Sequence, residues 1–270
     1  MTTAELPLSG RTAVVTGVSR RAGIGFAVAR RLLDLGANVL ISHHQPHDAA
    51  QPTGSDDLNG VLTELDAHRR GRAELAHLGG DLSATGAPEH LVDSAASRFG
   101  ALDICVANHA RGEPDGALGE LTAEALDGHW AVDARSVILL VQAFAARHDD
   151  TRPGGRVVMM TSGQHLGPMP GEVGYAAAKA ALAGITTTLA DQLADRGITL
   201  NTVNPGPVDT GHLTAEARQR LRSQFPGGRC GRPDDPAGLI SWLCTDDAAW
   251  ITGQVLNAEG GFARWRPADP

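Results

Sequence analysis

The chain has 270 residues, 42% hydrophobic and 20% charged, so it can bury a core and is not a disordered polymer. Its net charge of −8 argues against nucleic acid as the main partner, because phosphate binding needs a basic surface. No apolar run reaches the roughly 18 residues of a membrane span, the N-terminus lacks a basic-then-apolar signal pattern, and three widely spaced cysteines (Cys105, Cys230, Cys244) suit a reducing cytoplasm and give no disulfide framework.

In chain order, a short buried strand over 12–16 leads to an amphipathic helix over 25–35 and a second strand over 38–42. A His/Pro/Asp-rich loop over 43–57 precedes a helix that runs to about 71. Strands over 73–78 and 102–107 flank a helix over 88–99. A long helix over 123–147 leads to a strand over 155–161, and a second long helix over 174–195 to a strand over 198–203. Helices over 213–225 and 236–245 precede a last strand over 254–256. Alternation of this kind predicts an α/β fold, a doubly wound parallel sheet of about seven strands with helices on both faces. No linker or repeat divides the chain, so 1–270 reads as one domain.

The turn Thr16-Gly17-Val18-Ser19-Arg20-Arg21-Ala22-Gly23-Ile24-Gly25 joins the first strand to the first helix. In such a turn Gly17 makes the tight bend, Gly23 lets the backbone approach a pyrophosphate, and Gly25 lets helix and strand pack closely. The helix N-terminus then offers free N–H groups and a positive dipole end to phosphates. An acid holding a ribose 2′-hydroxyl belongs at the end of the second strand, where His43 and His44 stand instead. A missing acid with Arg20 and Arg21 at hand favours a 2′-phosphate, hence NADP(H), with NAD(H) as the alternative.

The composition singles out two residues. Among 23 basic residues one is lysine, Lys179, and the chain has one tyrosine, Tyr175. Four positions apart on a predicted helix, they share a face. A free phenol has a pKa near 10. A nearby ammonium and an oxidised nicotinamide would favour the phenolate and bring Tyr175 towards general acid–base work. Ser162 ends the fifth strand, on the rim where open α/β sheets bind ligands, and can fix a carbonyl oxygen.

These motifs together resemble the short-chain dehydrogenase/reductase family, a Rossmann-fold family, over nearly the whole chain. Thr16-Gly17 and Gly23-Ile24-Gly25 match its glycine turn, and Asp81-Leu82-Ser83 its adenine-contacting Asp. Ala107-Asn108-His109-Ala110 stands for its Asn-Asn-Ala-Gly turn, with Asn108 the strict match. Ser162, Tyr175 and Lys179 have the family's catalytic spacing. Asn204-Pro205-Gly206-Pro207-Val208, with Thr210, resembles the motif that cradles nicotinamide. The resemblance implies cofactor contacts from Gly17, Ser19, Arg20, Arg21, Gly23, Ile24, Gly25, His43, His44, Asp81, Leu82, Asn108, Ala110, Thr161, Tyr175, Lys179, Pro205, Gly206, Val208 and Thr210. It also implies a substrate-covering segment at about 206–232 and a homotetramer built on the two long helices, while the cysteine usage leads to the expectation of a cytoplasmic location.

Two departures stand out. Five residues separate Gly17 from Gly23, as in the enoyl reductases of the same superfamily, but those usually place six residues between Tyr and Lys. The carbonyl-reducing type therefore fits better. Asp133 occupies the slot of the family's relay Asn, as a fourth catalytic candidate. The implied activity is NADP(H)-preferring reduction of a small-molecule ketone to a secondary alcohol, or the reverse. A 3-oxoacyl thioester is one such substrate, and a non-catalytic nucleotide sensor is the rival from another class.

Other signals carry less. The cluster His43, His44, His47 and Asp48 is expected to bind no metal, because Pro46 interrupts the helical spacing and no Cys joins it. Arg218, Arg220, Arg222, Arg229 and Arg232 read as a solvated helix in preference to an anchor for an anionic tail. His165, Met169, Pro170 and Val173 are candidates for the substrate pocket. Trp130, Trp242 and Trp250 are expected in the core or in subunit contacts, and Cys105 is expected to be inert.

Overall fold

The computed structural model describes residues 5–50, 54–152 and 154–264. Its strands are β1 (Thr12–Val15), β2 (Asn38–His43), β3 (Leu75–Gly79), β4 (Ile104–Ala107), β5 (Arg156–Met160), β6 (Thr199–Asn204) and β7 (Val255–Asn257). All pair in parallel, in the order β3-β2-β1-β4-β5-β6-β7. The order reverses between β1 and β4, and the carboxyl ends of the strands open a crevice there.

The strands at the centre are largely apolar because both of their faces are covered, with Thr12 and Arg156 at the starts of β1 and β5 as polar exceptions. Every residue of β1, β4 and β5 is buried. Successive side chains point to opposite faces. Ala13 and Val15 join Phe26, Leu32, Leu33 and Ile240 on one side. Val14 and Cys105 join Leu140, Phe144 and Leu182 on the other. The first layer is built by helices α1 (Ile24–Asp34), α3 (Leu58–Asp66) and α9 (Asp234–Leu243), while α2 (Gln45–Ala50) and α8 (Ala215–Gln224) bury no residue. The second layer is α4 (Ala87–Phe99), α5 (Ala123–His129), α6 (Ser136–Arg147) and α7 (Val173–Ala194).

The structure departs from the expected elements in three places. The helix expected over 123–147 is broken by a π-helical turn, Trp130–Arg135, between α5 and α6. The Ser136 hydroxyl donates to the Val132 carbonyl there at 2.5 Å, drawing a side chain into the backbone ladder. The segment 43–57 is not a plain loop. It carries α2, with Pro46 in the first turn, where its missing N–H has no helical partner to lose. Positions 51–53 of that segment lie outside the described residues. α3 ends at Asp66, short of the expected 71, and starts at an Asp57 cap that accepts from the Gly60 N–H at 2.9 Å.

Trp130, Trp242 and Trp250 are not core residues. Trp130 is 48% exposed, Trp242 38% and Trp250 99%. Within 206–232, α8 buries no residue, which agrees with a solvated arginine helix.

Candidate active site

The chain leaves β1 through Thr16 and Gly17. Gly17 takes φ +72°, and a Cβ there would lie 2.8 Å from the His109 Cα. A Cβ on Gly25 would lie 2.5 Å from the Gly17 carbonyl oxygen, so helix and turn approach closely only with glycine. Asn108 Nδ2 fastens the turn by donating to the carbonyls of Thr16 (3.0 Å) and Gly17 (3.3 Å). No side chain caps the N-terminus of α1, which opens beside Ser19, Gly23 and Ile24.

His109 locks the turn to the start of α6. Its Nε2 meets the Ser136 hydroxyl at 2.7 Å and its Nδ1 the Thr16 hydroxyl at 2.7 Å. Ser136 already donates to Val132, so it accepts from Nε2–H, and Thr16 donates to Nδ1. The imidazole is therefore neutral. Burial, reinforced by the Lys179 ammonium, pulls its pKa down from 6.5 to about 4.

A cleft of about 1080 Å³ runs along the carboxyl ends of the strands. One end is walled by Arg20, His43, His44, His47, Asp48 and His212, the middle by Gly17, Asp81, Leu82, Asn108 and Ala110, and the other end by Ser162, Met169, Glu172, Tyr175 and Lys179. Both ends thus share one continuous space large enough for a dinucleotide and a small molecule.

At the far end, Ser162 stands beside the Tyr175 phenol and favours its ionised form. The Lys179 ammonium lies 5.6 Å from the centroid of the Tyr175 ring. Lys179 is 1% exposed, and its Nζ has no hydrogen-bond partner among the described residues. Burial holds the ammonium below the ordinary lysine range, with Asp133 opposing. The phenol is pushed above its ordinary value, by burial first and then by the charges of Asp133 and Glu172, against the opposing effect of Ser162. Burial and the two carboxylates thus dominate the phenol, and Lys179, expected to favour the phenolate, is not among the groups that shift it.

Asp133 sits behind the cleft wall, fully buried. Its Oδ1 accepts from the Arg111 backbone N–H at 2.7 Å, and its Oδ2 faces His129 Nδ1 at 2.8 Å. It therefore does not touch the reacting end directly.

Several sequence candidates lie elsewhere. Arg21 is not in the cleft wall: its side chain pairs with Glu64 at 2.9 Å and Asp56 at 3.7 Å. Gly25, Gly206 and Val208 also stand outside the wall, while Pro205 and Thr210 line it. Gly206 is left-handed, and its Cβ would lie 2.8 Å from the Glu259 Cα. Val208 bridges to Gly231. Thr161 lines the cleft and donates to the Lys179 carbonyl at 2.8 Å. His165, Pro170 and Val173 are absent from the wall, and none of the five clustered arginines reaches it. Arg218 pairs with Asp209 and Arg229 with Asp235, each at 2.6 Å. Among the described residues no three His, Cys, Asp or Glu side chains gather as metal ligands. Burial pushes the Cys105 thiol up to about 12, which leaves it unreactive.

Several residues escaped the sequence reading, among them Arg111, Glu113, Glu172 and His212 in the cleft wall, and Asp115 and His129 beneath it. The spacing of His129 and Asp133, four apart on a helix, was the available signal.

Taken together, the doubly wound sheet, the glycine turn and a Ser, Tyr and Lys set on one cleft define a nucleotide-dependent oxidoreductase. Comparison with known proteins gives its family. Residues 17–263 match the family model described as enoyl-(acyl carrier protein) reductase. An uncharacterised oxidoreductase, YjdA, of Bacillus subtilis is 37% identical over 255 residues, covering 94% of this chain and 97% of its own length. A Burkholderia cenocepacia short-chain dehydrogenase solved with NADP superposes with a TM-score of 0.81 at 35% identity, covering 94% of this chain and 98% of its own. LugOII, a promiscuous reductase catalysing keto-reduction at C1 in lugdunomycin biosynthesis, superposes equally well, with a TM-score of 0.81 at 33% identity over 94% of this chain and 98% of its own. The chain belongs to the short-chain dehydrogenase/reductase family, and it is an NAD(P)-dependent oxidoreductase acting on CH–OH/C=O groups. Among the described residues no helix is long and apolar enough to cross a membrane.

Proposed function

We propose that the protein is an NADP(H)-preferring ketone reductase that also runs in reverse as a secondary-alcohol dehydrogenase. The observation that carries this reading is the fully buried ammonium of Lys179, without a hydrogen-bond partner among the described residues, beside the Tyr175 phenol and on the same cleft as Ser162. A buried cation without a partner is costly and needs a ligand to satisfy it. The uncapped start of α1 and the glycine turn suit a pyrophosphate in the same cleft. Both features fit a bound nicotinamide dinucleotide.

The nicotinamide, when bound, supplies or accepts the hydride. Ser162 hydrogen-bonds the carbonyl oxygen and orients it. The Tyr175 hydroxyl donates its proton to that oxygen in reduction and takes it back in oxidation. Lys179 holds the cofactor ribose and, together with the positive nicotinamide, favours the phenolate that oxidation requires. Arg20, with His44 and His47, meets the 2′-phosphate. The ketone chemistry named for LugOII supports a carbonyl substrate, a 3-oxoacyl thioester being one such compound.

A second reading, NAD(H) dependence, rests on Asp48. It faces the same end of the cleft and is an acid able to accept from a ribose hydroxyl. A panel of ketones assayed with NADPH and with NADH decides both points. Turnover of no ketone rejects the activity, and a lower KM for NADH rejects the cofactor preference. The exposed Trp130, Trp242 and Trp250 support a homotetramer, which a solution mass measurement tests.

A further inference from the structure

Behind the phenol lies a buried chain of charged groups that the proton transfer just described does not use. His129 and Asp133 have fully buried side chains, and the Asp115 side chain is 3% exposed. His129 Nδ1 faces Asp133 Oδ2 at 2.8 Å. Its Nε2 faces the Pro114 carbonyl at 3.1 Å and Asp115 Oδ2 at 3.4 Å. Every neighbour of the two ring nitrogens is an acceptor. A neutral imidazole has one N–H and would point its lone pair at an oxygen; an imidazolium satisfies both sides. The two carboxylates raise the pKa of this ring against the effect of its burial.

Each carboxylate holds a separate part of the site. Asp133 accepts from the Arg111 N–H at 2.7 Å. Asp115 accepts from the N–H groups of Gly116 (2.8 Å), Gly174 (2.9 Å) and Tyr175 (2.8 Å), the last two in the first turn of α7. Gly174 is itself required by this contact, since a Cβ there would lie 2.9 Å from His129 Cδ2. The His129 and Tyr175 rings meet edge to face, with centroids 6.2 Å apart.

The charged and titratable groups around this cluster are Asp133 from the π-helical turn, Arg111, Glu113 and Asp115 from the segment after β4, Glu172 just before α7, and Tyr175 and Lys179 from α7, with neutral His109 beyond. Negative groups outnumber positive ones. Without His129 the carboxylate at 133 would act undiminished on Tyr175 and Lys179.

We propose that His129, held as an imidazolium between Asp133 and Asp115, is a positioning residue for Tyr175. It offsets the carboxylate in the 133 slot and ties the segment after β4 to the first turn of α7. The proposal rests on Tyr175 being the proton donor.

The test compares the pH dependence of alcohol oxidation in the unmodified protein, in H129Q and in H129Q/D133N. Oxidation needs the phenolate, so kcat/KM rises with pH along a limb set by Tyr175. H129Q is expected to move that limb up by about one pH unit and to lower kcat about tenfold, because one positive charge near the phenol is lost. H129Q/D133N is expected to return the limb towards its original place, since the uncompensated carboxylate is gone too. A folded H129Q with an unmoved limb and unchanged kcat overturns the proposal. Ring-nitrogen NMR of the unmodified protein tests the charge without any turnover. Two protonated nitrogens at pH 8 support the proposal, and a neutral His129 overturns it. Failure of every ketone in the panel would remove the proposed function while leaving the NMR result to decide the charge of His129.

Discussion

The Lys179 ammonium sits 5.6 Å from the centre of the Tyr175 ring, fully buried and without an acceptor among the described residues. In the free protein the phenol's pKa is nevertheless raised, because desolvation and the carboxylates of Asp133 and Glu172 outweigh what favours the phenolate. Tyr175 is the one tyrosine in the chain, so tyrosinate absorbance reports it alone. The titration midpoint is expected above the ordinary phenol value of about 10. Saturation with oxidised NADP is expected to lower it, because a second cation joins Lys179. An unchanged midpoint would remove the cofactor from the account of phenol activation.

Replacing Tyr175 with Phe removes the proton donor and keeps the ring. Steady-state ketone reduction should then lose about 10²- to 10⁴-fold in kcat with little change in the KM of NADPH. Equal losses in kcat and in cofactor binding would instead mean that the substitution collapses the cleft.

Arg20 and Arg21 are adjacent in sequence and differ in placement. Arg20 lines the cleft, with His212 Nε2 at 2.6 Å from its guanidinium, while Arg21 is turned towards Glu64 and Asp56. Arg20→Ala should raise the KM of NADPH about tenfold and leave that of NADH nearly unchanged. Arg21→Ala should change neither, and its exposed pairs should cost less than about 1 kcal/mol in chemical denaturation. Reversed effects would relocate the phosphate contact.

His109 predicts an acid limb of stability. Its pKa is about 4 in the fold against 6.5 for an ordinary exposed histidine, so the fold favours the neutral ring. Its contribution is fully present above pH 6.5 and is lost as pH falls towards 4. The shift corresponds to about 3 kcal/mol. Denaturant unfolding between pH 7 and 4 should show this loss, and His109→Ala should flatten it. His129 acts in the opposite sense, since a raised pKa stabilises the fold at low pH and loses that contribution as pH rises.

Gly25 tests the packing of the glycine turn. A Cβ placed 2.5 Å from a backbone oxygen must displace the turn, so Gly25→Ala should cost about 1–3 kcal/mol in stability and weaken binding of both dinucleotides. Unaltered stability and binding would show that the turn has slack.

Elements and motif order were legible along the chain because they depend on local periodicity. Strands such as Thr12–Val15 and helices such as Val173–Ala194 differ from their expected bounds by a residue or so. The facing of Tyr175 and Lys179 follows from helical spacing alone. The direction of long side chains was not legible. Arg21 turned to Glu64 and Asp56, which belong to a segment some 35 or more residues away, and only the folded chain sets that competition. Asp133 was legible as a substitution in a relay slot, yet its partner's role depends on Asp115 and Pro114 arriving from the segment after β4.

The amino-acid order alone determined the parallel α/β architecture, the glycine turn and the shared helical face of the one phenol and the one ammonium, because these depend on spacing and backbone freedom. Tertiary structure decided the charge state of the buried groups, which arginine enters the cleft, and the imidazolium bridge under Tyr175. Desolvation and long-range contacts set those features, and both come into being only when distant segments pack together.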